Sequence, residues 1–420
     1  METIHHLDCI GARVAGTPCE AKAARWIEQQ FRRLNLINIH RQDFPCLSFG
    51  HTNCLVSILT GNRWRRIASE PAAHSPATPV GGIEGELIFV EKVPSDALAF
   101  RSMQGKMLLI YGSELFQLKR LQQVMESKPA GILLVDDRFP NDWTVAVGFP
   151  RYWVNFITCP VVNIPYMVGW RIVSEQVKAV RLNLQSSVKR AKSQNVIGEI
   201  AGDRFPEKVI VISAHHDTVP NNPGADDNGS GIAVMLELAR TFAAVRSRRT
   251  LRFISFGTEE QLSEGAKHYA FGAGDVSQIQ MAVNIDSVGA WMGQTRIYCV
   301  GTKALRKTIE QINNEMAFPG HIISEVSPFS DHFPLNLQGV PGVWYYRTTF
   351  GSARHYHHSV LETVDVVSPW VLERTVRAIA RLLEVIANSE PMPFPRTIPA
   401  VQKRALNKMA KQWTGINMRR

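Results

Sequence analysis

The sequence has no apolar run near the roughly 20 residues a membrane helix needs, although 45% of its 420 residues are hydrophobic. That argues against a membrane span. Its six cysteines (Cys9, Cys19, Cys46, Cys54, Cys159 and Cys299) are scattered and include no C-x-x-C pair. Such a pattern supports neither a thiolate zinc site nor a dense disulfide framework, so free thiols in a reducing compartment are expected. The opening METIHHLDCIGARVAG lacks the charged start and apolar stretch of a signal peptide. A cytoplasmic location is expected on that basis, and a secreted form trimmed of its leader would read the same. Acidic residues are also short, 37 against 47 basic ones, for a net charge of +10. Much of the excess lies in Arg396, Lys403, Arg404, Lys408, Lys411, Arg419 and Arg420, which face no acid in that stretch. A basic tail on a mildly basic body gives no reason to expect a nucleic-acid partner.

The chain divides by texture into four parts. In residues 1–49, Thr17-Pro18-Cys19-Glu20 can cap and open a helix, with proline in the first turn and Glu20 completing a capping box. Ala23, Ile27, Phe31 and Leu34 follow at helical spacing, and an extended piece runs to about Cys46. Residues 50–188 alternate short strands such as Glu86–Val90, Lys106–Ile110 and Gly131–Val135 with turns, plus a helix over Leu115–Ser127. This part has few clustered His, Asp or Glu and reads as a β-rich insertion. After the polar stretch Ser186–Asn195, residues 189–390 alternate strands Val209–Ser213, Leu251–Phe256, Met281–Ile285 and Val340–Tyr346 with helices Gly231–Val245 and Lys303–Met316. The alternation points to an α/β fold, a doubly wound and mostly parallel sheet flanked by helices. Its last helix opens at Ser368-Pro369 and runs to about Asn388. Residues 391–420 form the basic tail, where Val401, Ala405, Leu406, Met409, Ala410 and Trp413 make an apolar stripe of the kind a membrane-surface helix carries, although a helix packed on the protein or a frayed tail is the commoner outcome and no membrane attachment is expected.

The residues just past each strand carry the chemistry. Val209–Ser213 is followed by His215-His216-Asp217, Leu251–Phe256 by Glu259-Glu260, and Met281–Ile285 by Asp286. In open α/β sheets the site lies outside the carboxyl ends of the strands, so these side chains should converge. The turn GADDNGSG adds Asp226 and Asp227, and His358 lies beyond the final strand. Singly, each has a bland reading as a hydrogen-bonded loop residue, a solvated acid or a helix cap. Together they supply imidazole and carboxylate donors that suit zinc and also accept manganese or cobalt. Two metals about 3.5–4 Å apart need a shared carboxylate, terminal ligands on each and a base nearby.

The stretches AHHDT, GADDNGSG, GTEEQLSEGAKHYA, NIDSVG, FSDHFPLNLQGVPG and YHHSVLETVD, with IGARVAGTPCEAKAARWIEQQF at the N-terminus, resemble the co-catalytic zinc peptidases that include bacterial leucyl aminopeptidases and glutamate carboxypeptidase II. The resemblance implies two zinc ions per chain, His215 and Asp286 on one, Glu260 and His358 on the other, and Asp227 between them. It makes Glu259 the general base and Asp217 a carboxylate that orients His215. It also implies a cis bond at Asp227-Asn228. Among the neighbouring His355, His357 and His358, the family spacing H-S-x-x-E-T selects His358, leaving His357 to line the substrate pocket. Two departures touch the loop after the base: Leu262 stands where a glycine is usual, and Gly265-Ala266 where Gly-Ser is usual. Residues 50–188 resemble a protease-associated domain through GKMLLI, PAGILLV and CPVVNIP.

The implied activity is metal-assisted hydrolysis of peptides without a serine or cysteine nucleophile, first as an aminopeptidase. A carboxypeptidase would use the same centre with arginines such as Arg347 or Arg354 on the substrate carboxylate. A glutaminyl cyclase would use one zinc, and a receptor or scaffold on this fold, like the transferrin receptor, would have lost ligands that are all present here. Homo-oligomerisation is left open.

Overall fold

The computed structural model describes residues 1–94, 100–272, 275–349 and 354–416; Arg419 and Arg420 of the basic tail lie outside them. Its strands are β1 (Ile37–Thr60), β2 (Arg63–Ile67), β3 (Glu70–Pro71), β4 (Ile83–Val90), β5 (Met107–Tyr111), β6 (Gly131–Val135), β7 (Val161–Ile164), β8 (Ala179–Ile200), β9 (Phe205–His215), β10 (Arg249–Phe256), β11 (Ile279–Ile285), β12 (Gln294–Val300), β13 (His321–Ile323) and β14 (Gly342–Thr348). They join in one sheet of order β13-β12-β14-β11-β9-β10-β8-β4-β5-β6-β7-β3, with β1 pairing β8 and β2 pairing β1 off this path.

Four strands at its centre, β14, β11, β9 and β10, run parallel. They are apolar on both faces because helices cover both. Pro18–Arg33, Gly231–Ala243 and Pro369–Asn388 bury Ile27, Leu238 and Leu382 against one face. The other face receives Ala266, Tyr269 and Leu335 from Glu264–Phe271 and His332–Leu337. The mostly parallel, doubly wound architecture expected from the sequence is therefore present, closed at one side by the antiparallel β12.

The helix caps form as their residues dictate. Ser368 accepts the backbone N–H of Val371 ahead of Pro369, and Thr17 accepts that of Glu20 ahead of Pro18. Glu20 reaches one residue further back than a capping box requires. It accepts the Gly16 N–H at 2.6 Å and the Ser193 hydroxyl at 2.5 Å. Its carboxyl is buried, and burial pushes its pKa up to about 8.

The long strands β1 and β8 pair antiparallel from Ile37–Glu199 to Ile58–Val180. Both textural boundaries, 49/50 and 188/189, fall inside this ribbon. One end of β8 pairs β10 of the metal-ligand lobe and the other pairs β4. Beyond it, β4, β5, β6 and β7 form a parallel set, carrying helices Leu118–Glu126 and Tyr166–Ser174. The C-terminal helix Ala400–Met409 packs on the protein, with Leu406 and Ala410 buried beside Val300, Phe333 and Leu337.

Candidate metal centre

Because β9, β10 and β11 are adjacent and parallel, their carboxyl ends deliver His215, Glu259-Glu260 and Asp286 to one place. The His215 ring turns Nε2 toward Asp227 Oδ1 at 3.1 Å and Asp286 Oδ1 at 3.6 Å. Its other nitrogen, Nδ1, faces the Asp217 carbonyl at 3.3 Å and the Asp217 carboxylate at 3.5 Å. Across the site, His358 Nε2 lies 3.1 Å from Glu260 Oε2 and 3.5 Å from Asp227 Oδ2. Asp227 thus uses one oxygen toward each histidine. The Asp227–Asn228 peptide is cis, as expected.

Supporting bonds come from neighbours that carry no ligand atom themselves. Asp217 accepts the backbone N–H groups of Glu259 at 2.9 Å and Glu260 at 3.1 Å. Ser287 and Ser330 donate to the two oxygens of Asp286. Glu362 accepts the N–H of Asp227 at 2.5 Å and of His358 at 2.9 Å, so one carboxylate fixes two candidate ligands.

The site concentrates buried acid. Burial raises Glu259 well above the usual carboxylate range, and it raises Glu362 to about 8. Burial also opposes ionisation of Asp227, yet Arg354 and the imidazoles of His215, His357 and His358 hold it well below its ordinary value. Burial works against protonation of His358, but Glu260 and Asp227 raise it to about 9.

Among the described residues, the buried atoms His215 Nε2, Asp227 Oδ1, Glu260 Oε1 and His358 Nε2 find no hydrogen-bond partner. Buried polar atoms are almost always paired, so a cluster of such atoms on ligand-type side chains fits a cation. Ligand atoms of His215, Asp227 and Asp286 lie within 4.8 Å of one another, as do those of Asp227, His357 and His358.

Residues 195–383 match the profile of peptidase family M28. That stretch, which carries every candidate ligand and the candidate base, is of the M28 type. That family is of the co-catalytic zinc exopeptidase type. The chain is 28% identical over 302 residues to Aminopeptidase YwaD of Bacillus subtilis, an alignment spanning 69% of this chain and 62% of that protein. It is 24% identical over 414 residues to Carboxypeptidase Q of Mus musculus, covering 93% of this chain and 86% of that one. The fold matches the solved structure of a zinc aminopeptidase from Bacillus subtilis with a TM-score of 0.75 at 23% identity, covering 93% and 95% of the two chains.

All seven site residues expected from the sequence, His215, Asp217, Asp227, Glu259, Glu260, Asp286 and His358, meet in this one centre. His357 lines the adjoining cavity as expected, and its Nδ1 also sits 3.0 Å from Asp227 Oδ2. Of the two arginines considered for a substrate carboxylate, only Arg354 reaches the site, 3.1 Å from Asp227 and 3.5 Å from Asp286. Arg347 instead donates to the Ala290 and Trp291 carbonyls and the Thr295 hydroxyl. Sequence reasoning passed over Arg13. Its buried guanidinium donates to the carbonyls of His216, Pro223 and Gly224, tying the loop of His215 to the loop of Asp227. A lone arginine between glycine, alanine and valine gives no local signal of that role.

Proposed function

We propose that this chain is an aminopeptidase that releases N-terminal residues from peptides, with Glu259 as general base. Two zinc ions would be held, one by His215 and Asp286, the other by Glu260 and His358, with Asp227 shared between them. The carrying observation is the set of buried, unpartnered donor atoms gathered around Asp227. When bound, such a cation pair supplies Lewis acidity that acidifies a water and polarises the scissile carbonyl.

The remaining chemistry belongs to the side chains. Glu259 takes the proton of the attacking water and returns it to the leaving amine, a role suited to a carboxyl whose proton affinity burial has raised. Ser263 donates to Glu259 Oε1 at 3.3 Å and steadies the carboxylate. Asp217 fixes the ring of His215 and, through the Glu259 and Glu260 amides, the turn that carries base and ligand.

A carboxypeptidase is the second reading. It is favoured by Arg354, a guanidinium lining the cavity beside the ligands, and by similarity to Carboxypeptidase Q along 93% of the chain. A mixed peptide pool incubated with zinc-loaded protein and followed by mass spectrometry separates the two. Chelator-sensitive loss from the N-terminus supports the aminopeptidase, and loss from the C-terminus transfers the assignment. An unchanged pool removes both.

A further inference from the structure

Several large apolar side chains stand exposed at one place on the metal-ligand lobe. Trp291 and Met292, in the loop between β11 and β12, are 58% and 79% exposed. Trp370, in the first turn of the helix Pro369–Asn388, is 59% exposed. Val360 and Leu361, which follow directly on His358-Ser359 along the chain toward that helix, are 54% and 41% exposed.

The two segments are joined to each other. The Trp291 indole N–H donates to the Asp365 carbonyl at 3.0 Å. Ala290 and Val367 form an antiparallel bridge, and the Ser368 N–H donates to the Gly289 carbonyl at 2.7 Å. Arg347, the arginine that does not reach the metal centre, has its place here. Its buried guanidinium donates to the Ala290 carbonyl at 2.7 Å, the Thr295 hydroxyl at 3.1 Å and the Trp291 carbonyl at 3.3 Å. The loop is thus fixed from below while its tryptophan and methionine face outward. A surface held in advance loses little freedom when something binds to it.

The area is large for a free surface. The five side chains together expose on the order of 600 Å², the upper end of what the largest apolar patch on a monomer reaches. Two such faces in contact would cover roughly 1,200 Å², where stable protein–protein interfaces begin.

Two charges flank the indoles, and among the described residues neither forms an ion pair. Asp365 is exposed, with only its carbonyl engaged by Trp291. Arg374 lies over the Trp370 ring at 4.7 Å and donates to the Ala317 carbonyl at 3.0 Å. One acid and one base on the same patch suit a self-complementary contact, in which residue i of one copy meets residue j of the other and j meets i. A lipid surface would match the apolar area but not the carboxylate in its midst.

We propose that this face is the contact of a two-fold dimer of the chain, with Trp291, Met292 and Trp370 at its centre and the Asp365 carboxylate of each copy paired with the Arg374 guanidinium of the other. The contact covers the chain that leaves His358, so assembly braces the segment carrying that candidate ligand. It requires nothing of the reaction catalysed.

Sedimentation equilibrium of the full-length protein from about 0.1 to 100 μM tests it. Wild type should pass from monomer to dimer within that range. Met292→Glu and Trp370→Glu change exposed positions and should melt with wild-type cooperativity. Each should raise the dimer Kd by at least about a hundredfold, because the two-fold axis repeats every lost contact. Asp365→Lys and Arg374→Glu should each weaken the dimer about tenfold, and the double variant, which restores opposite charges across the axis, should recover most of that loss. A wild-type chain still monomeric at about 100 μM, or a dimer that Met292→Glu and Trp370→Glu leave unchanged, overturns the proposal. Charge variants without effect, or a double variant that regains nothing, overturn the two-fold pairing. Co-sedimentation of monomer with phosphatidylserine–phosphatidylcholine vesicles, lost in Met292→Glu, would give the face to a lipid surface and equally overturn it.

Discussion

Asp217 holds the backbone N–H of Glu259 at 2.9 Å while its carboxylate also faces the ring of His215. One side chain therefore sets both a candidate ligand and the candidate base. Its second oxygen accepts the Glu260 N–H. An amide at this position has only one acceptor oxygen and would turn an NH₂ toward a backbone N–H. Asp217→Asn should lower kcat/KM by roughly 10–100-fold and weaken zinc binding over a similar range. Zinc affinity measured by chelator competition, beside peptide turnover, checks both. Wild-type values in each would remove Asp217 from the site.

Glu259→Gln separates the base from the ligands. Glutamine keeps the shape and can still accept from Ser263, but it cannot take up a proton. The expected outcome is a kcat lower by roughly 10²–10⁴-fold with zinc content unchanged. Metal analysis and steady-state kinetics on one preparation decide it, and activity within a few-fold of wild type would reassign the base.

Asp227 directs one oxygen to each half of the site, whereas His358 faces Glu260 and only one Asp227 oxygen. Losses of metal should therefore be unequal. After gel filtration, Asp227→Ala is expected to lose both zinc ions and His358→Ala one of two. Plasma-emission metal counts give the stoichiometry directly. A full single equivalent retained by Asp227→Ala would mean that the two positions do not share it.

How much of this was legible in the sequence depends on how local the signal was. The strand ends were legible because a run such as Val209–Ser213 is buried on both faces and stops at histidine. The order of ligands followed from the parallel topology. The ribbon of β1 and β8 was not legible, because residues 187–190 are exposed on both faces. There the strand loses its apolar alternation and reads as a polar boundary. Glu362 was visible as a spacing mark for His358, but its grip on the Asp227 and His358 amides is a tertiary fact. The placement of His74 and Trp413 on one cavity joins residues with no sequence relation at all.

Glu20 links pH to stability. Its carboxyl is raised to about 8 in the fold against 4.5 for the free side chain, chiefly by burial. The folded state then binds the extra proton between those values, so its contribution to stability is fully present below pH 4.5 and is lost as pH rises toward 8. The loss amounts to a few kcal/mol at most, since one pKa unit is about 1.4 kcal/mol. Glu20→Gln should flatten this slope. Urea midpoints at pH 5.5 and 8.5 (roughly inside and above the window) should differ less in the variant than in wild type. An equal difference in both would place the pH dependence elsewhere.

Arg13 reaches from the N-terminal segment into the metal lobe, and its removal should be felt in both fold and site. Its guanidinium donates to the Pro223 carbonyl at 2.6 Å, the His216 carbonyl at 2.8 Å and the Gly224 carbonyl at 3.0 Å, and its backbone N–H to the Thr218 hydroxyl at 2.8 Å. Arg13→Met fills similar space but leaves the Pro223 and His216 carbonyls without a donor, each costing about 1–3 kcal/mol when unpaired, while the Gly224 carbonyl keeps the Gly229 N–H. Partial relaxation and entry of water would reduce the sum, so a loss of roughly 3 kcal/mol is expected. Because two of those carbonyls flank the turn carrying Asp227 and the third belongs to the residue after His215, zinc affinity should fall with stability. A lysine can replace one or two of the bonds but not the fork, so Arg13→Lys should lie between methionine and wild type. Urea unfolding with and without zinc separates the contributions. Stability lost at unchanged zinc affinity would confine Arg13 to the fold, and neither loss would show that the loops hold their positions without it.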